Sequence, residues 1–274
     1  MSARIDAEPR SKGLLTPGGD TSPVGIERRA PSGRAAAFVR HYWLPRWHLP
    51  AGTSIRQDVL EYPTANLVVE PTSAAVHRAH RGLSSRTLEG SGWAFGVLLR
   101  PGTARGWAGS SIRSLPMMLP LPRLQVTGAA RMTGAVQDAM VRHDHDAAVA
   151  VAAFESWLDA LPEPSDEARL VDRIVSEVEG DRDLLRVEQL ADRFGMGVRR
   201  LQRLIAGHIG FGPKWLIQRY RLQEAAAALR TDSPPQIAAL AAELGYTDQA
   251  HFSREFTTVV GTTPGAYAAA GRST

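Results

Sequence analysis

The last third of the chain carries one small pattern twice, about fifty residues apart. The first copy is Leu190-Ala191, Phe194-Gly195, Leu201, Arg203, Ile205, Ile209-Gly210 and Pro213. The second is Leu240-Ala241, Leu244-Gly245, Phe252, Arg254, Phe256, Val260-Gly261 and Pro264. Each copy has the spacing of a short helix, a tight turn and a second helix. Residues before the turn are offset by 50 and those after it by 51, so the second turn is one residue longer. Two such units on one polypeptide can address successive major-groove segments of DNA without dimerisation.

In the first copy, Val187 to Phe194 forms the supporting helix, Gly195-Met196-Gly197 the turn, and residues 198–207 the reading helix. Leu201, Leu204 and Ile205 recur at helical spacing and define its buried stripe. At about 100° per residue, Arg199 and Arg203 fall on the opposite face, flanked by Arg200 and Gln202. Arginine can bond guanine O6 and N7 together, and glutamine can do the same at adenine N6 and N7. In the second copy Ile237 to Leu244 supports, Gly245 to Asp248 turns, and residues 249–260 read. Phe252 and Phe256 make its inner stripe. Ala250, Arg254 and Thr257 face outward, with His251 and Ser253 at the sides and Gln249 at the N-terminal end, where base contacts concentrate. One helix with such a face is ordinarily just solvated. Two of them at matched positions in helix-turn-helix frames turn the balance towards DNA reading.

These residues carry a resemblance to a family. The stretch from Leu190-Ala191 to Tyr267 resembles the C-terminal domain of AraC/XylS bacterial transcriptional regulators. The most specific part is Ile237-Ala238, Leu244 to Asp248, His251-Phe252-Ser253-Arg254-Glu255-Phe256, Gly261-Thr262-Thr263-Pro264 and Tyr267. Arg219 to Ala225, followed by Leu229, is similar to the long helix that joins the two subdomains in that family. The resemblance implies base-reading positions at Arg199, Gln202 and Arg203, and at or near Gln249, His251 and Arg254. It also implies double-stranded promoter DNA as partner, and RNA polymerase if the protein activates. The chain departs from the family at Gly197 and Gly212, where serine is usual. Glycine costs only a few tenths of a kcal/mol against serine at a helix N-cap, but the first reading helix can fray more and any phosphate bond from its missing N-cap hydroxyl is lost.

The rest of the chain suggests an α+β protein: a small β-rich N-terminal sandwich or barrel, a helical connector, and an all-α C-terminal domain with two helix-turn-helix subdomains joined by a long helix. Residues 1–24 are polar and rich in Gly, Pro, Ser and Thr, which suits a disordered tail. Residues 25–122 hold short apolar runs punctuated by Pro and Gly, among them Asn66 to Val69 and Trp93 to Leu99, as in a small all-β unit. Phe38 to Trp43 reads as its first well-packed strand. Residues 123–164 change to helical spacing at Met132, Val136, Ala139 and Met140, then at Val149, Val151, Phe154, Trp157 and Leu158. After the breaker Leu161-Pro162-Glu163-Pro164, residues 165–274 open with a helix whose acidic first turn, Asp166 and Glu167, suits its dipole.

Composition narrows function further. The 274 residues include no cysteine, which removes disulfides, thiolate nucleophiles and Cys-based zinc sites. Alkyl-transfer repair enzymes that share this DNA module need such a nucleophile, and no phosphate loop or Ser/His/Asp motif stands out, so the chain is not read as an enzyme. The formal net charge is +4 with a pI near 9.8, and only Lys12 and Lys214 are lysines. Arginine-rich composition also follows from GC-rich coding, and a sequence-indifferent architectural protein would show lysine-rich faces.

No apolar run reaches the ~20 residues of a membrane helix and no signal-peptide core is present, so the expectation is a cytoplasmic protein without membrane contact. The segments Tyr42-Trp43, Tyr62-Pro63 and Gly96 to Gly102 resemble a divergent class of the sensing or dimerisation domains found in this family. That implies a small-molecule effector, a homodimer, or both. Trp43, Trp47, Trp93 and Trp107 can line an apolar pocket, although filling a core is the commoner use of tryptophan. His77 with His80, and His143 with His145, lack neighbouring carboxylate ligands or sit in a mixed-charge stretch with Asp144 and Asp146. No metal or cofactor is expected.

Overall fold

A computed structural model describes residues 23–59, 62–143, 145–231 and 233–271. The expected tail, residues 1–24, lies outside the described residues except for its last two, as does Asp144. Among the described residues nine strands lie in the first half of the chain: β1 (Val24–Arg29), β2 (Val39–His48), β3 (Ser54–Val59), β4 (Asn66–Val69), β5 (Ala74–His77), β6 (Ser84–Glu89), β7 (Ser91–Trp93), β8 (Phe95–Leu99) and β9 (Met118–Pro120). Seven form one sheet in the order β1-β2-β8-β4-β5-β9, with β7 also paired to β2, while β3 and β6 pair separately. Strand β1 precedes the one expected to come first. Its sequence, VGIERR, has too few apolar residues to announce a strand.

Side chains alternate across a strand, and both faces of the large sheet are used. Tyr42, Leu44, Leu67, Val69, Phe95, Val97 and Leu99 point to one side and are buried there. That side is covered by α1 (Thr103–Ala108), α2 (Ala129–Arg142) and α3 (Ala147–Leu158). Met132, Val136, Met140, Phe154, Trp157 and Leu158 belong to the same core, so the helical stretch read as a connector packs on the sheet. Arg34 fastens its far end by donating to the Leu158 and Leu161 carbonyls at the C-terminus of α3. The other face turns His41, Trp43, Asn66, Val68, His77 and Leu98 towards the β3–β6 ribbon, leaving a cavity between the two layers.

The remaining helices are α4 (Asp166–Gly180), α5 (Val187–Arg193), α6 (Val198–Ile209), α7 (Pro213–Ala228), α8 (Ile237–Glu243), α9 (Gln249–Val260) and α10 (Pro264–Gly271). Two apolar clusters divide them. Val171, Ile174, Val175 and Val178 of α4 pack with Leu190, Leu201, Ile205 and Leu216. Leu222, Ala225 and Leu229 pack with Leu240, Phe252, Phe256 and Tyr267. Helix α7 serves both clusters, the first through Leu216, Ile217 and Tyr220 and the second through Leu222, Ala225 and Ala226. Arg221, almost fully buried on α7, donates to the Val178 and Asp181 carbonyls at the end of α4 and pairs with Glu224 at 2.8 Å.

Helix α4 has a second working stripe. Ala168, Asp172 and Glu179 lie four and seven residues apart, on one side of a helix, and meet the β unit. Gly102 sits so close to α4 that a Cβ there would fall 2.3 Å from the Ala168 carbonyl oxygen. Its N–H donates to Asp172 Oδ1 at 2.8 Å. Further along, Arg40 of β2 grips Glu179 with bonds of 2.8 and 3.0 Å and reaches the Tyr220 hydroxyl at 3.3 Å. Burial alone would lower the Arg40 pKa, but the Tyr220 and Glu179 charges and bonds reverse the sign and hold it above its ordinary value.

The Asp172 carboxyl is pushed up to about 6 by burial, against the opposing pull of the Gly102 N–H, Arg100 and Arg40. A carboxyl that holds its proton more tightly folded than unfolded contributes stability that is complete below the unfolded value and lost as pH rises through the folded one. Urea unfolding should therefore show stability falling between pH 4 and pH 6 from this group. Asp172→Asn keeps an acceptor for Gly102 and should flatten that part of the profile. An unchanged slope in the variant would assign the fall to other carboxyls.

Candidate nucleic-acid interface

The two reading helices expose different amounts of chemistry. In α6, Leu201, Leu204 and Ile205 are buried, whereas Arg199, Arg200, Gln202 and Arg203 are all exposed. No hydrogen bond or ion pair engages the guanidinium groups of Arg199, Arg200 and Arg203 among the described residues. The helix is longer than expected, ending at Ile209 instead of near Gly207, and its C-terminal turn is covered by the β unit. Gly207 lies under Arg105, where a Cβ would be 2.9 Å from Nη1. His208 is buried beside Arg105 and Glu167, and burial lowers its pKa. The bare part of α6 is thus its N-terminal half, the end that a helix-turn-helix presents to base edges.

Helix α9 spans Gln249–Val260. Phe252 and Phe256 are fully buried, and Gln249, Ala250 and Arg254 are exposed. His251 is held sideways: its ring stands edge-on to Tyr246 at 5.3 Å, and Nε2 lies 3.5 Å from Glu255. The same Glu255 accepts from the Tyr246 hydroxyl at 2.8 Å, which leaves His251 at the flank of the bare face. Glycines occupy the left-handed turn positions at Gly195 and Gly245, with φ of 58° and 76°, a region that costs other residues energy. The N-caps differ. Asp248 accepts from the His251 N–H at 2.7 Å, whereas Gly197 gives α6 no side-chain cap.

One loop of the β unit touches both subdomains. Residues 78–83 join β5 to β6, and the Arg78 and Arg81 guanidiniums lie over the Phe211 ring at 6.0 and 5.2 Å, just past the end of α6. Leu83 packs against the second subdomain's core, and a Cβ on Gly261 would lie 2.7 Å from it. Apart from His80, nothing in the sequence marked this loop, because its contacts with the helices are with residues more than a hundred positions away.

The cavity of about 350 Å³ in the β unit is largely apolar, with Ile26, Val59, Val68, Leu88 and Leu98 on its walls. Trp43 and Trp47 lie flat across it because the paired strand positions are glycines: a Cβ on Gly96 would be 1.9 Å from the Trp43 ring, and one on Gly92 2.3 Å from that of Trp47. Each indole N–H is satisfied, by Asn66 Oδ1 at 3.0 Å and by the Glu89 carbonyl at 3.1 Å. His41 is pushed down to about 4 by burial, with Arg28 and Arg40 adding to the effect, so it is neutral at pH 7. Trp93 and Trp107 take the commoner use of tryptophan and are core residues; Trp107 stands edge-on to Trp157 at 5.1 Å on the opposite face of the sheet. His77 lines the cavity, while His80 bonds the Leu83 carbonyl within the loop. Among the described residues no cluster of metal-ligating side chains occurs, and no helix is long and apolar enough to cross a membrane.

Residues 190–270 match the model of a helix-turn-helix domain, and residues 27–116 that of a domain of unknown function (DUF6597). The chain is 30% identical over 101 residues to an uncharacterized HTH-type transcriptional regulator of Haemophilus influenzae, covering 37% of this chain and 34% of that protein. It is 39% identical over 67 residues to the HTH-type transcriptional activator RhaS of Pectobacterium carotovorum subsp. carotovorum, covering 24% of each. The chain thus spans about a third and about a quarter of these relatives' lengths. Among solved structures, it is similar to the C-terminal domain of AraT, a response regulator from Geobacillus stearothermophilus, at 25% identity and a TM-score of 0.34 over 39% of this chain and 88% of that one. ToxT from Vibrio cholerae, with unsaturated fatty acid bound, gives 11% identity and 0.39 over 89% of this chain and 94% of its own. The chain carries an AraC-type helix-turn-helix domain at its C-terminus.

The caps give a direct check on the two subdomains. Asp248→Ala should cost about 1 kcal/mol, and Gly197→Ser should gain a few tenths, both read by urea unfolding. Equal, negligible effects would mean that the α9 cap bond does not hold in solution.

Proposed function

We propose that this protein is a sequence-specific DNA-binding transcriptional regulator whose two reading helices enter adjacent major-groove segments. The observation that carries this reading is the pair of bare faces. Arg199, Arg200, Gln202 and Arg203 on α6, with Gln249 and Arg254 on α9, are exposed on helices anchored from behind by apolar stripes. His251 stands at the margin, suited to a phosphate or a groove edge. Selecting sheared genomic DNA with the purified protein should recover a motif of two blocks about 10 base pairs apart. The Arg203→Ala/Arg254→Ala variant should lose it, each substitution weakening specific binding by about 1–3 kcal/mol. The same motif at the same strength from the double variant would contradict the assigned faces.

The β unit is proposed to sense a small, mainly apolar molecule. Its support is a partly open cavity with aromatic and aliphatic walls and several polar groups at its lining, among them His41, Asn66 and His77, the make-up of a small-molecule site. Strands β5 and β6, whose His77 and Ser84 line that cavity, continue into the loop that touches both helix-turn-helix subdomains. A molecule that spreads the β3–β6 ribbon from the sheet would therefore act on the ends of both reading helices. Val68→Trp fills the cavity and should abolish the enhanced fluorescence of anilinonaphthalene sulfonate on the protein while leaving its fold intact by circular dichroism. Unchanged dye binding would place the dye, and the sensing site, elsewhere.

A further inference from the structure

A second cleft, of about 490 Å³, opens between the β unit and the first helix-turn-helix. Its polar lining comes from both sides: Arg81 and Arg113 from the β unit, Gln202 from the exposed face of α6, and Lys214 from the first turn of α7. Arg81, Arg113 and Lys214 are all exposed. Arg113 makes no hydrogen bond or ion pair with another described residue, and no carboxylate lines the cleft. The two units meet at the edge of the cleft, at Gly210. Ile112 is buried, and its Cγ2 and carbonyl oxygen would lie 3.6 and 3.8 Å from a Cβ on Gly210. Arg81 is spread on the Phe211 ring at 5.2 Å. Three cations of two different units are thus gathered beside Gln202, on the exposed face of α6.

We infer that the β unit is itself part of the DNA interface, with Arg81 and Arg113 joining Lys214 on the sugar-phosphate backbone that borders the groove read by α6. This rests on the proposed regulator reading, because Gln202 orients the cleft only if α6 enters the groove. The partner follows from charge and continuity. A run of cations without a counter-charge, opening onto a reading helix, fits the regularly spaced negative charge of a duplex. Such contacts position the protein without selecting sequence.

The test is the salt dependence of binding by the full chain to a fluorescent random-sequence duplex of about 30 base pairs, roughly three helical turns. Each lost phosphate contact should reduce the slope of log K against log salt by about 1. Arg81→Ala/Arg113→Ala should therefore lower it by about 2, while Arg81→Lys/Arg113→Lys, which keeps the charge, should restore most of it. Arg113→Ala alone should lower it by about 1, and it breaks no hydrogen bond or ion pair among the described residues, so misfolding would not explain its loss. Parent-like slopes in both alanine variants, with Arg203→Ala/Arg254→Ala still losing the selected genomic motif, would overturn the inference and leave the regulator reading standing. A parent protein that does not bind the duplex would overturn both. A changed base preference in genomic selection with Arg81→Ala/Arg113→Ala would also count against a backbone role.

Discussion

A helix that reads DNA must be held firmly from behind and left bare in front, and this constraint organises the C-terminal half of the chain. Leu201, Leu204 and Ile205 fasten α6 into one core, and Phe252 and Phe256 fasten α9 into the other. Neither core is large. Each is completed by α7, whose successive turns supply Leu216, Ile217 and Tyr220 to the first and Leu222, Ala225 and Ala226 to the second. The two reading helices are therefore fixed relative to one another by a single continuous helix, so the spacing of the two bare faces is a property of the fold.

The β unit is bound to this frame by polar contacts of long range. Arg40 joins β2 to α4 and α7 through Glu179 and Tyr220, and its guanidinium also lies over the Tyr62 ring at 5.3 Å. Tyr62 is a wall of the cavity. The cavity thus meets the DNA-binding half at two places, through Tyr62 and Arg40 on one side and through the 78–83 loop on the other. A partly buried arginine–carboxylate pair, here one Nη2 shared by both Glu179 oxygens, is stronger than an exposed one. Under the proposed sensing role, Arg40 would carry a change in the cavity wall to α4 and α7.

Much of the helical half was legible in the sequence because helices encode their faces locally. The stripes at 201, 204 and 205 and at 252 and 256, the turn glycines 195 and 245, and the boundaries of α9 all follow from spacing within a dozen residues. The β unit was harder. A strand with both faces covered, such as β2, mixes Tyr42 and Leu44 on the helix side with His41, Trp43 and Trp47 on the cavity side, so its alternation carries no simple apolar signal. The division of the tryptophans depended on register: only the facing glycines at 92 and 96 allow Trp43 and Trp47 to lie in the cavity, while Trp93 and Trp107 fell to the opposite face. The contacts of Arg40, Gly102 and the 78–83 loop join residues far apart in the chain, and local pattern has no access to them.

The measurement that bears most directly on DNA reading by both helices is guanine-N7 methylation interference on a selected site. Methylation blocks the major-groove atom that arginine would contact. Two interference blocks should appear about 10 base pairs apart on one face of the duplex, one disappearing with Arg203→Ala and the other with Arg254→Ala. A single block, or two inverted blocks that fade together in either variant, would contradict reading by two helices of one chain.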